Sequence, residues 1–268
     1  MTDRPFRFGI VGSAPDLPSW TALARRAEDL GYDTLVSPDP QLELDPFTIL
    51  SAASAVTTRL KVGTWVAVDK FRDRRLLDWQ ARSLHRFTGE RFELGLGTGR
   101  PDAAERVASF GGSFGTGAER LAHLEETIAF LKREPGPPLL LAAGGPKMRA
   151  LAAREADIVT FAWQPRTTEA EAKSIVDDFR RSGDRFDDVE LAMSLFAVGD
   201  KPAPWLEKFM KVSVATLAAE GAMTVLPGSP RQNADRLLRW RDELGFSYLT
   251  INAAFVDEFA EVIALLRD

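Results

Sequence analysis

Short apolar runs alternate with amphipathic stretches along the whole chain. Residues 6–11 read as a first strand, 19–30 as a helix stopped by Gly31, and 34–37 as a second strand. A second helix starts at Asp45-Pro46, a cap followed by a first-turn proline, and runs to Thr57. Strands at 60–68 and 91–96 follow, each leading into a helix, at 74–87 and 118–132. Two further units pair 139–142 with 147–154 and 158–161 with 169–181. Residues 189–198 contain the seventh strand, and 204–244 carry a helix broken near Pro227-Gly228-Ser229-Pro230. A strand at 248–252 and a helix at 255–266 close the series.

Eight strand–helix units in 268 residues predict a parallel sheet with crossover helices, closed into a single (β/α)8 TIM barrel domain over 1–268. A doubly wound open sheet also alternates, but usually with fewer strands, and ranks second. The segment 97–117, rich in Gly, Ser and Ala, is expected to be a loop that serves as a lid.

Composition narrows the partners. The chain is 45% hydrophobic and 27% charged, with net charge −5 and no long Lys/Arg run, which argues against nucleic acid or an anionic membrane surface. Cysteine is absent, which excludes a disulfide frame, a thiolate nucleophile and a Cys-based metal site. The start of the chain has no signal-peptide-like apolar core, and no apolar run is long enough for a bilayer. The expectation is a cytoplasmic enzyme for a small-molecule substrate, with no metal.

In a (β/α)8 barrel the chemistry gathers on the loops after the strands. The most informative of these is Ala143-Gly144-Gly145-Pro146, where a buried strand meets a glycine pair and then a helix. Glycines admit backbone close to a ligand, and a helix start offers free N–H groups to an anion. A tight turn with no ligand fits these residues equally well. Other strand ends carry Asp39, Trp65-Val66, Thr98, Arg100, and Phe161 with Trp163.

Several stretches, in order, resemble the luciferase-like monooxygenase superfamily, in its branch of oxidoreductases that use the deazaflavin coenzyme F-420. They are residues 24–35, 57–64, 89–99 (the most recognisable), 142–146, 154–159 and 226–230. The resemblance implies a luciferase-like barrel with a flavin-like ring across its mouth. Ala143, Gly144, Gly145 and Pro146 match the phosphate loop of the cofactor. Trp65 and Val66 match a bulge that backs the ring, often with a non-prolyl cis peptide; core packing is the plainer role for Trp65. Asp39 matches a position near the cofactor, against a simple turn aspartate, and Thr98 borders the site. Arg100 is expected to hold an anionic substrate or the cofactor tail, against a solvated loop arginine. Phe161 and Trp163 are expected to form an apolar wall, against ordinary core.

Two departures matter. Many relatives have a histidine where this chain has Pro40, and some have an acid where it has Arg100. The two histidines, His85 and His123, fall within predicted helices and are not nominated, so no acid–base residue is assigned. Hydride transfer with coenzyme F-420 is the first reading. FMN with molecular oxygen is the second, and a non-catalytic ligand-binding barrel is the third. Family likeness also implies a homodimer through the second and third helices, where Ala52-Ala53-Ser54-Ala55 offers a small-residue face.

Overall fold

The computed structural model describes residues 4–39 and 44–267. Pro40 therefore lies outside the described residues. Eight parallel strands close into a barrel: β1 (Arg7–Val11), β2 (Thr34–Ser37), β3 (Lys61–Thr64), β5 (Phe92–Gly97), β6 (Leu139–Ala143), β7 (Ile158–Phe161), β8 (Glu190–Leu195) and β11 (Phe246–Asn252). β11 pairs back onto β1 with Arg7 opposite Tyr248, and β3 pairs with β5, so no edge is left open. Three short strands complete the set: β4 (Ala67–Val68) continues β3, and β9 (Ala197–Val198) pairs with β10 (Val225–Leu226) outside the barrel.

The helices are α1 (Leu17–Asp29), α2 (Pro46–Ala55), α3 (Arg74–Phe87), α4 (Ala104–Ser109), α5 (Gly117–Leu131), α6 (Pro146–Glu155), α7 (Glu169–Arg181), α8 (Val214–Ala219), α9 (Pro230–Leu244) and α10 (Val256–Arg267). Their starts follow local capping chemistry. Asp16, Asp45 and Asp73 accept first-turn amides of α1, α2 and α3, while Thr116, Thr168 and Ser229 form capping boxes on α5, α7 and α9.

Two regions differ from the sequence pattern. The expected lid loop contains α4, because Ala103 and Val107, one helical turn apart, bury their side chains completely. The expected long helix over 204–244 is continuous only in α9. Before it lie a π-helical turn at Leu206–Met210, α8, and β10, which pairs with β9.

Two cores follow from strand alternation. The outer one fills the shell between barrel and helices, with Phe8, Ile10, Leu94, Leu141, Val159, Phe246 and Phe259 among its members. The inner one comprises Leu140, Ile158, Ala192 and Tyr248, with Trp65 and Val66 packed on it. Tyr248 reaches the interior because the β11–β8 register slips between Phe246 and Tyr248, so that Phe246 faces out and Tyr248 faces in. Below Tyr248 the interior is ionic. Arg7 bridges Glu93 and Glu190, and Lys61 joins Glu93 at 3.3 Å.

Among the described residues, no helix is long and apolar enough to cross a membrane. A cleft of about 460 Å³ opens beside Arg82, Gly136 and Asp157, at the end of the barrel opposite the strand-terminal loops.

Candidate functional site

The strand-terminal face is built around an interruption in the third barrel strand. Between the β3 and β4 pairings, Thr64, Trp65 and Val66 oppose only Leu94 and Gly95 of β5, a one-residue bulge. The Trp65–Val66 peptide is cis, the feature that the resemblance implied at this place. Thr64 closes the ladder by exchanging two hydrogen bonds with Gly95: its hydroxyl donates to the Gly95 carbonyl at 2.7 Å and accepts the Gly95 amide at 2.9 Å.

Glycine is required on the facing strand. A Cβ on Gly95 would lie 2.0 Å from the Thr64 carbonyl oxygen, and one on Gly97 would lie 2.9 Å from the Val66 side chain. Gly97 therefore lets Val66 lie across β5.

Trp65 turns into the barrel. Its ring meets Tyr248 edge-on at 5.6 Å, and its indole N–H donates to the Ser194 hydroxyl at 3.1 Å. Ser194 in turn contacts the Thr250 hydroxyl at 3.0 Å. Trp65 and Val66 are half-buried, so they form the floor of the mouth. The Tyr248 hydroxyl contacts Thr34, and burial, foremost, pushes its pKa up, so it stays protonated.

The glycine pair lies at the start of α6. Neither Gly144 nor Gly145 has a positive φ. A Cβ on Gly144 would meet only the Ala162 methyl at 3.7 Å, and one on Gly145 would meet nothing within 4 Å. Backbone conformation and packing thus leave both positions open to a larger residue. α6 also lacks the side-chain cap found on α1, α2, α3, α5, α7 and α9, which leaves its first amides without a side-chain acceptor. Behind the turn, the buried Arg149 donates to the Gly144 carbonyl at 2.8 Å. An exposed glycine pair and uncapped amides suit a phosphate group.

The other sequence-selected residues fall into three groups. Asp39 is buried at the mouth end of β2, but its carboxylate is turned to Arg72 and to the Val68 amide. Thr98 is half-exposed at the end of β5, and Arg100 is an exposed rim residue 3.7 Å from Asp102.

Phe161 and Trp163 are not brought to the mouth, contrary to the apolar wall expected of them. Phe161 packs on Phe179 of α7, and Trp163 packs on Phe161 and Phe246, all in the outer shell. The reason is strand alternation: Ile158 faces the interior, so Val159 and Phe161 face the helices. The Ala143 side chain likewise faces the shell, and only its backbone leads into the glycine turn.

His85 donates to the Phe92 carbonyl, a packing role. His123 is less passive than the sequence suggested, because its Nδ1 donates to the buried Asp69. That pair joins α5 to the turn after β4, on the outer side of the barrel wall. Among the described residues, no group of three or more His, Asp or Glu is placed to hold a metal ion.

No local sequence pattern marks Arg72, Arg149, Ser194 or Tyr248. Arg72 looks like an ordinary loop residue and the others like ordinary helix or strand residues until long-range pairing brings each to its partner.

Residues 5–134 match the profile of the luciferase-like monooxygenase family. The matched stretch is just under half of the chain. The barrel fold is shared over nearly the whole chain with solved structures, of which three illustrate it. An F-420-dependent secondary alcohol dehydrogenase, in complex with an F-420–acetone adduct, is similar over 99% of this chain and 100% of its own, with TM-score 0.78 and 16% identity. The coenzyme F-420-dependent tetrahydromethanopterin reductase of Methanopyrus kandleri is similar over 98% and 100%, with TM-score 0.75 and 14% identity. A riboflavin lyase with modified FMN and riboflavin is similar over 98% and 92%, with TM-score 0.75 and 13% identity. No curated protein sequence matches this chain significantly.

Proposed function

We propose that the protein is an oxidoreductase that binds coenzyme F-420 across the barrel mouth and exchanges hydride with a small organic substrate. The observation that carries this reading is the glycine pair before α6, which neither φ nor packing requires and whose helix lacks a side-chain cap. The fold likeness to two F-420-dependent enzymes supports the choice of cofactor.

When bound, the deazaflavin supplies the hydride chemistry. The chain's own residues orient and enclose it. Amides of the Gly144–Pro146 turn and the first turn of α6 hold the phosphate, with Arg149 bracing the turn from behind. Trp65 and Val66 support the ring from below, fixed by Ser194 and Tyr248. Thr98 lies at the mouth, and Arg100 at the rim is the group available to an anionic substrate or cofactor tail.

Fluorescence titration of the purified protein with F-420 and with FMN, separately, tests the reading. Saturable binding of F-420 and not of FMN is expected. Binding of FMN alone replaces it with a flavin monooxygenase, for which the riboflavin lyase likeness and the family name are the support. Binding of neither overturns both and leaves a barrel for another ligand.

We further propose a homodimer through α3 and α2. Trp79 is 70% and Phe87 77% exposed on α3, with Leu76 beside them at 43%. On α2, Ala53 and Ser54 pack inward, which leaves Ala55 exposed and Ala52 half-buried as the outer small-residue positions. Light scattering is expected to give about twice the chain mass of 29.5 kDa, and a mass of one chain rejects the dimer.

A further inference from the structure

We propose that Arg72 is a positioning residue of the mouth: acting through Asp39, it fixes the bulge that carries Trp65 and Val66. The inference rests on the reading of the mouth as a cofactor site.

Both anchors of the bulge come from the end of β2. The Ser37 carbonyl accepts the Trp65 amide at 2.8 Å, and Asp39 Oδ2 accepts the Val68 amide at 2.9 Å. A carboxylate can hold an amide in one place only if it is itself held. Arg72 does this with both guanidinium arms, Nη1 to Oδ2 at 2.6 Å and Nη2 to Oδ1 at 3.0 Å. The same Nη2 reaches Asp45, the cap of α2, at 2.7 Å, and the guanidinium lies over the Phe47 ring at 5.1 Å.

One planar cation therefore joins the loop after β2, the start of α2 and the turn after β4. The side chains of Arg72 and Asp39 are only 12% and 4% exposed. In this setting a two-armed, charge-assisted pair is strong, and a lysine cannot reproduce its fork. Burial alone would lower the Arg72 pKa, but Asp39 and Asp45 outweigh it and raise it, so the clamp stays charged.

The arrangement also reassigns Asp39. Both of its oxygens are taken inside the protein, so it acts as a strut under the bulge and not as a hydrogen-bond partner of the ring.

Hydrogen exchange of the 61–71 segment in the free protein tests the clamp, with cofactor affinity as the second readout. Arg72→Ala and Asp39→Asn are each expected to speed exchange of the Val68 amide about tenfold or more, which corresponds to roughly 1.4 kcal/mol. The double variant is expected to go no further than the larger single change, and Arg72→Lys to fall between wild type and Arg72→Ala. The dissociation constant of whichever probe wild type binds, F-420 or FMN, is expected to rise in the same order.

Unchanged exchange in folded Arg72→Ala, or additive effects in the double variant, overturns the clamp. Faster exchange with unchanged cofactor affinity overturns the positioning role. If Arg72→Ala fails to fold, Arg72→Lys and Asp39→Asn carry the same comparison. If wild type binds neither probe, the cofactor reading fails while the exchange order still decides the clamp.

Discussion

The Trp65 indole stands edge-on to the Tyr248 ring, with centroids 5.6 Å apart and planes 78° from parallel. This contact closes the barrel interior beneath the mouth. It separates the lower interior, filled by Tyr248 and the Arg7 ion cluster, from the strand-terminal face.

Trp65→Ala is therefore expected to remove the floor. Loss of a large aromatic side chain costs about 3 kcal/mol when fully buried, and less here because Trp65 is half-buried. Cofactor affinity is expected to fall more than tenfold, while Trp65→Phe, which keeps the wedge but not the bond to Ser194, stays closer to wild type. Urea denaturation and fluorescence titration measure the two effects.

Gly144→Ala separates fold from function. The new methyl meets only Ala162 at an ordinary contact distance, and the backbone is not left-handed, so thermal stability should hold or rise slightly. On the proposed reading, binding of the phosphorylated cofactor is expected to weaken at least tenfold, because the methyl would occupy the space meant for its phosphate. Thermal unfolding and titration of the same preparation check both halves.

Glu28 gives a pH signature. Its carboxylate accepts the amides of Thr58, Arg59 and Leu60 at the entry to β3. Burial raises its pKa, but the three amides together outweigh burial and hold it below the ordinary 4.5. A pKa depressed by folding contributes stability above the unfolded value, and that contribution is lost as pH falls through the folded value. Glu28→Gln should lower stability at neutral pH and flatten the acid limb of the stability curve below about pH 5. Urea midpoints across that range measure it.

The ion cluster under Tyr248 predicts an asymmetric response. Burial alone would lower the Arg7 pKa, but Glu93, Tyr248 and Glu190 outweigh it; burial raises Glu190, because its partners only partly compensate. Arg7→Met leaves two buried carboxylates facing each other and should cost about 3 kcal/mol or more. The cost should grow as pH rises through the raised pKa of Glu190, which then ionises without the Arg7 counter-charge. Denaturation at pH 5 and pH 8 checks the direction.

Much of the architecture was legible because local rules encode it. α3 and α7 lie where the apolar period and Asp73 or Thr168 caps place them, and β2 and β7 match their apolar runs. The helix α4 was hidden in a segment whose Gly and Ser content resembles a loop. The broken 204–229 region was hidden because its short strand forms only by pairing with β9.

The candidate site divides along the same line. Its glycine turn and its bulge position were readable, since close backbone approach needs glycine and the family pattern marks the strand. The direction of side chains was not. Phe161 looks like a mouth residue on sequence position, but its alternation phase depends on which face of β7 meets the barrel.

The sequence by itself determined the eightfold alternation, most helix starts and the glycine turn before α6, because each depends on residues a few positions apart. Only the tertiary structure decided that Trp65 floors the mouth on Tyr248, that Arg72 holds Asp39, and that Phe161 and Trp163 leave the site. Those outcomes depend on barrel closure, on the bulge between β3 and β4, and on the register slip in β11. A shift of one residue in pairing moves a side chain from one face of the wall to the other, and no local pattern fixes that shift.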